Sequence, residues 1–260
     1  MTANTAEKLE FAKELGTEAA ALAQKLRSEK SGNFVETKGL QDFVTFADKE
    51  VEKLIRARLA MRYPEDAFLG EEDGFSDVKS GNIWVVDPID GTTNFMRGLP
   101  EWGVSIAYCS EGVIELGVIA APDLSCLSWA QKGKGAFLND QPLAVSDCAD
   151  IAQSIMLLGR SARAPLGDYL AIIERTVTGG GEYRRNGSAA VSLLNVARGL
   201  GEAYYEAHLN AWDALAGLLL ITEAGGQFQA DQLEEFLTKG SRVFADNGKL
   251  TQQLSEIITG

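Results

Sequence analysis

The segment from Trp84 to Phe95, WVVDPIDGTTNF, ends an apolar run in two carboxylates three positions apart, then adds a glycine and two threonines. Carboxylates attract cations, whereas a glycine turn that opens a helix offers N–H groups to an anion. A phosphate bound through a metal ion needs both. Taken alone, Asp87 and Asp90 read more readily as loop acids after a strand, because Asp and Gly favour turns. Their neighbours weigh against that: Pro88 stiffens the exit, Ile89 can present its backbone carbonyl between the acids, and Gly91-Thr92-Thr93 opens a short helix before Gly98-Leu99-Pro100.

Further acids stand elsewhere in the chain, each with an ordinary explanation. Glu71 and Glu72, in LGEEDG, fit a solvated loop, yet a β-type segment through Phe68-Leu69 could deliver Glu71 beside Asp87. Mg²⁺ takes about six oxygen ligands and keeps several waters, so a few carboxylates are enough. Asp48, in KGLQDFVTFAD, stands three residues after Thr45 as in a capping box, which serves a helix terminus without any catalysis. It could also orient an attacking water, and the two roles are compatible. Asp213, in AWDALAGLLLITEAGG, lies in a first helical turn, where an acid commonly compensates the helix dipole.

Composition narrows the chemistry to carboxylates. The single histidine, His208 in YYEAHLNAWD, reads as a packed or exposed side chain, and a Ser-His-Asp triad or a histidine zinc site would rest on that one ring. Cys109, Cys126 and Cys148 lie far apart, and their odd count argues against a disulfide framework and for a reducing cytoplasm. With 37 acidic against 24 basic residues, a net charge of −13 disfavours direct binding to nucleic acid or anionic membrane and suits a site that gathers divalent cations. The N-terminus, MTANTAEKLEF, lacks the basic start and apolar core of a secretory signal. No apolar run approaches the roughly 20 residues of a membrane span.

These residues must be positioned by regular elements. Leu9, Ala12, Leu15, Ala19, Leu22 and Leu26 recur at three- or four-residue spacing, which predicts a helix from Glu7 to about Ser28. A second helix is expected from near Thr45 to Tyr63-Pro64, then a strand from Ile83 to Val86 cut off by Pro88. Short apolar runs between Val104 and Val145, separated by turn residues, predict an antiparallel meander. Beyond it strands and helices alternate: SIMLLG, a helix around Leu170 to Thr176, EYRR, a helix from Ser188 to Arg198, EAYYE, a helix from about Trp212 to Ala224, GQFQA, RVFA and a last short helix. The pattern is mixed α+β and α/β. It divides the chain into residues 1–145, helices plus an antiparallel sheet carrying most of the acids, and residues 146–260, an α/β part carrying Asp213. A site at their junction is expected.

The fixed order of these acids, with the signatures WVVDPIDGTTNF and WDALAGLLLITEAGG, resembles the inositol monophosphatase family of Mg²⁺-dependent, lithium-sensitive phosphomonoesterases, from the Lys38 region to the GQFQA strand. The resemblance implies a layered αβαβα sandwich, usually a homodimer, acting on a small phosphate monoester. It makes Glu71, Asp87, the Ile89 carbonyl, Asp90 and Asp213 ligands of two or three Mg²⁺ ions, which neutralise the phosphate and activate a water. Glu72 would stand behind the ligands, and Thr92 paired with Asp48 would position the water. The amides of Gly91 and Thr92 would hold the phosphate, while Gly187, Ser188, Ala189 and Glu206 would meet the organic half of the substrate. Inositol monophosphate is the first expectation. Histidinol phosphate and fructose 1,6-bisphosphate stay open, since Glu206 could equally pair with an ammonium. DGTTNF favours inositol over histidinol phosphate, whose hydrolases often place a basic residue at Thr93. A role as a regulatory partner in a transcription complex is the expectation of another kind. Asn210 stands where animal members of the family place a histidine.

Overall fold

The computed structural model describes residues 2–29, 35–39, 42–75 and 81–260. Two long helices come first, α1 (Thr2–Ser28) and α2 (Phe46–Arg62), with the hairpin of β1 (Val35–Gly39) and β2 (Asp42–Thr45) between them. Then follow β3 (Ala67–Gly70), β4 (Gly74–Phe75), β5 (Asn82–Asp90), α3 (Thr92–Arg97) and the meander of β6 (Gly103–Ser110), β7 (Val113–Ala121), β8 (Cys126–Gln131), β9 (Gly135–Leu138) and β10 (Gln141–Pro142). The remainder runs β11 (Ile155–Leu158), α4 (Leu166–Thr178), β12 (Glu182–Arg184), α5 (Ala189–Ala197), β13 (Ala203–Leu209), α6 (Ala211–Glu223), β14 (Gln227–Gln229), α7 (Leu233–Lys239), β15 (Ser241–Asp246) and α8 (Thr251–Thr259).

Eight strands form one sheet in the order β10-β9-β8-β7-β6-β5-β3-β4, and five form another in the order β12-β11-β13-β15-β14. Because side chains alternate along a strand, each sheet buries two faces. On β7, Leu116, Val118 and Ala120 pack against α1 and α2, whereas Ile119 and Ala121 turn towards α5 and α6. On β13, Tyr204 and Leu209 join the same α5–α6 core, while Ala203 and Tyr205 face α4 and α8. The result is five layers, αβαβα, and the central helices are apolar all round, as helices covered on both sides must be. Close approach demands small residues there: a Cβ at Gly117 would come within 2.8 Å of the Ala216 backbone. No described helix is long and apolar enough to cross a membrane.

Two boundaries and one element differ from expectation. α1 starts at Thr2, five residues before Glu7, and α7 was not signalled by any clear apolar period. The strand expected to stop before Pro88 instead continues to Asp90. Its pairing with β6 slips between Asp87↔Ser105 and Asp90↔Gly103, so Pro88 sits in an irregularity that needs no N–H from it. Leu40, Gln41 and the side chains through Thr45, including the Thr45 half of the expected capping box, lie outside the described residues.

Candidate active site

β5 and β3 run parallel with Gly70 opposite Val86, so the chain leaves β3 at Glu71 beside Asp87. The turn after β3 is held from below: buried Glu52 of α2 accepts the amides of Glu72 and Asp73, each at 2.9 Å. Burial raises the Glu52 carboxyl above its ordinary range, against the pull of those two amides. Sequence reading passed over Glu52, although it stands one helical turn beyond Asp48.

Past the slip in β5 the chain tightens around its acids. The Asp87 carboxylate accepts the Ile89 amide at 2.9 Å. Gly91 then turns at φ +87°, a region open to glycine, and a Cβ there would meet the Glu101 carbonyl at 2.9 Å and Ser188 at 3.0 Å. α3 follows, and the Thr92 hydroxyl donates to Asp48 and to the Ile89 carbonyl, both at 3.2 Å. Asp48 is buried on α2. The expected Thr92–Asp48 pair is therefore present.

Asp213 arrives from the other half of the chain. Ser105, the cross-strand partner of Asp87, donates its hydroxyl to the Trp212 carbonyl at 2.9 Å and so fixes the start of α6 against β5 and β6. Asp213 accepts the Asn210 amide at 3.1 Å in a capping box. Asn210 is thus a helix cap. Asp90 makes a second link: it accepts the Ser188 hydroxyl and the amides of Ala190 at 2.8 Å and Ala189 at 3.3 Å, while Ser188 itself caps α5 through Val191 N at 3.1 Å. Asn94, also missed by sequence reading, donates to the Glu101 and Asn186 carbonyls and ties α3 to the 186–188 loop.

Asp87, Asp90 and Asp213 bring carboxylate oxygens within 4.8 Å of one another. Burial raises all three, and at two of them neighbouring carboxylates add to it: Asp87 goes well above the usual range, with Glu71, Asp90 and Asp213 beside it, and Asp213 is pushed up to about 7, with Asp90 and Glu206 nearby; at Asp90 the hydrogen bonds from Ser188, Ala190 and Ala189 oppose the burial. Like charges so placed cannot all ionise without a cation. A hard, oxygen-only donor set of this kind fits a divalent ion and could hold one.

The pocket above these acids has a volume of about 300 Å³ and is lined by Glu71, Asp90, Thr92, Ser188, Glu206 and Asp213 among others. Gly91, Gly187 and Ala189 also reach it. Glu206 lies at the far side on β13, buried, and accepts the Tyr204 hydroxyl at 2.6 Å. Burial pushes Glu206 up to about 7, the tyrosine opposing. Glu72 lines no part of this pocket, whereas every other expected residue except Asp48, Asp87 and Ile89, which lie just beneath, borders it.

The sequence profile of the inositol monophosphatase family matches residues 4–259. The chain belongs to the inositol monophosphatase family. An inositol-1-monophosphatase of Mesorhizobium japonicum is 38% identical over 219 residues, covering 83% of this chain and 80% of that one. A Nus factor SuhB of Haemophilus influenzae is 35% identical over 224 residues, covering 85% and 84%. Among solved structures, the extragenic suppressor protein suhB of Bartonella henselae superposes with a TM-score of 0.88 at 32% identity, covering 95% of this chain and 96% of that chain.

Proposed function

We propose that this member of the family hydrolyses a small phosphate monoester, inositol monophosphate first, with Mg²⁺ as cofactor. The observation that carries the reading is the meeting of Asp87, Asp90 and Asp213 within 4.8 Å under a pocket of monoester size. Glu71, Asp87, the Ile89 carbonyl, Asp90 and Asp213 would hold the ions. When bound, Mg²⁺ supplies positive charge for the phosphate and lowers the pKa of an attacking water.

The chain's own groups orient that water. Because the Thr92 hydroxyl donates its hydrogen bond to Asp48 and the Ile89 carbonyl, its lone pairs are left to accept a hydrogen bond from the water and aim the water's oxygen at phosphorus. Glu72 supports the Glu71 turn from behind. The amides of Gly91 and Thr92 take the phosphate oxygens. Gly187, Ser188, Ala189 and Glu206 meet the leaving alcohol, and Glu206 at a pKa of about 7 can accept or donate there. The family reading also carries a homodimer and sensitivity to lithium, and three cysteines without a disulfide suit a cytoplasmic setting.

Phosphate release from myo-inositol 1-phosphate in Mg²⁺ tests this: turnover should vanish in excess EDTA, and turnover that persisted would refute it. The SuhB relatives favour a second reading, a regulatory partner in a transcription complex. A scaffold would keep its binding in the Asp87→Asn variant, whereas hydrolysis would not survive it.

A further inference from the structure

Glu71 stands on a weakly built part of its sheet. β3 and β4 form a hairpin whose loop is residues 71–73, and β4, the edge strand, consists of Gly74 and Phe75 alone. Pairing is limited to Leu69↔Phe75 and Gly70↔Gly74, too little for a hairpin to fix its own loop. The fixed points come from another element. Glu52, 1% exposed on α2, accepts the amides of Glu72 and Asp73 at 2.9 Å each, one on each carboxylate oxygen.

The fit is close. A Cβ at Gly70 would fall 2.5 Å from the Glu52 carboxyl carbon, so any side chain there must push the carboxylate away. Arg56, one turn further along α2, lies over the Phe68 ring at 4.2 Å and reaches Glu52 at 3.6 Å and Asp73 at 3.7 Å. It braces both the acid and the loop that the acid grips. A carboxylate buried beside one loosely placed cation is a costly way to stabilise a fold, and what this one supplies is orientation. Asp48 and Glu52 stand one helical turn apart on one face of α2, and Asp48 accepts the Thr92 hydroxyl. A single helix face therefore reaches both the Thr92 hydroxyl and the loop that carries Glu71.

We propose that Glu52 is a positioning residue for metal binding: by holding the amides of Glu72 and Asp73 it keeps Glu71 turned towards the site, and so sets the affinity for Mg²⁺ without taking part in the chemical step. The inference rests on the reading that Glu71 is a metal ligand. Arg56 acts behind it, and Gly70 is the space that the arrangement requires.

The test is a calorimetric Mg²⁺ titration, without substrate, of wild type, Glu52→Gln, Gly70→Ala, Glu71→Gln and the double variant Glu52→Gln/Glu71→Gln. In Glu52→Gln one amide keeps an acceptor while the other faces an NH₂ group; Gly70→Ala displaces the carboxylate and leaves its charge, and serves where Glu52→Gln does not fold. Each should raise the Mg²⁺ Kd by ~10-fold, as loss of a group that orients a metal ligand does. In the Glu71→Gln background the same Glu52 change should alter Kd by less than about 2-fold, because the two substitutions remove one effect. Phosphate release should show the same shift in the Mg²⁺ needed for half-maximal turnover, with kcat at saturating Mg²⁺ close to that of wild type. An unchanged Kd, or an equal shift with and without Glu71, would overturn the proposal and leave the metal reading intact. Wild type that bound no Mg²⁺ would overturn both.

Discussion

Two readings of Asp48, helix cap and water-orienting group, are separated by a single amide substitution. It lies in the first turn of α2 and accepts the Thr92 hydroxyl. In Asp48→Asn the side-chain NH₂ can donate to Thr92, which would turn the hydroxyl round and remove the lone pair facing the water. The expected outcome is a fall in kcat of ~10²-fold or more with a stability loss of about 1 kcal/mol or less. Steady-state kinetics beside thermal melting check it; unchanged kcat with lowered melting would leave only the cap. Thr92→Ala should show the same kinetic loss. At this scale the acids that meet at the pocket, Asp87, Asp90 and Asp213, were legible because each sits in a dense motif. Glu52 and Asn94 were not, since a buried acid on a helix or an amide in a short turn has no local pattern that marks it. Tyr204 did leave one trace, its two-residue spacing from Glu206 on one strand face.

Among the elements, α5 is tied to the site most directly, because Ser188 both caps it and donates to Asp90. Ser188→Ala removes the cap and one partner of a buried carboxylate, and should lower stability by about 1–2 kcal/mol. Denaturant unfolding measures this, and Ser188→Thr, which retains the hydroxyl, should recover most of it. A loss no larger than that of a surface alanine would contradict the dual role. α2, the meander, α5 and α6 were expected nearly to the residue: α2 and the strands carry a 3.6 or 2 repeat, whereas α5 and α6, apolar all round, read as continuous apolar runs between turn residues. Pro88 misled because proline was read as a stop, whereas the strand slips its register around it and continues to Asp90. That slip is what aims Asp87 and Asp90 at one another.

For the molecule as a whole, the cation-free site should make stability fall as pH rises. Asp87, Asp90, Asp213, Glu206 and Glu52 all have raised pKa values, Asp213 and Glu206 to about 7. Between the ordinary carboxylate range and about pH 7 the folded chain therefore binds more protons than the unfolded one. Their contribution is complete below about pH 4 and is lost as pH rises through the folded values. In EDTA the melting temperature of wild type, relative to Asp213→Asn, should drop from pH 5 to pH 8. Saturating Mg²⁺ should reverse that trend, because the ion binds the deprotonated carboxylates and stabilises the fold that holds them. A flat difference in EDTA would contradict the crowding of charge at the site.

Five layers place three acids from two halves of one chain at a single point, and the central claim is that they act through a bound cation. The measurement that bears on it most directly is phosphate release from myo-inositol 1-phosphate by wild type and Asp87→Asn, side by side, as Mg²⁺ is titrated in. Wild-type turnover should rise from nothing and saturate, while the variant stays near background and melts, without metal, no lower than wild type. A variant that turned over like wild type at any Mg²⁺ concentration would contradict the account.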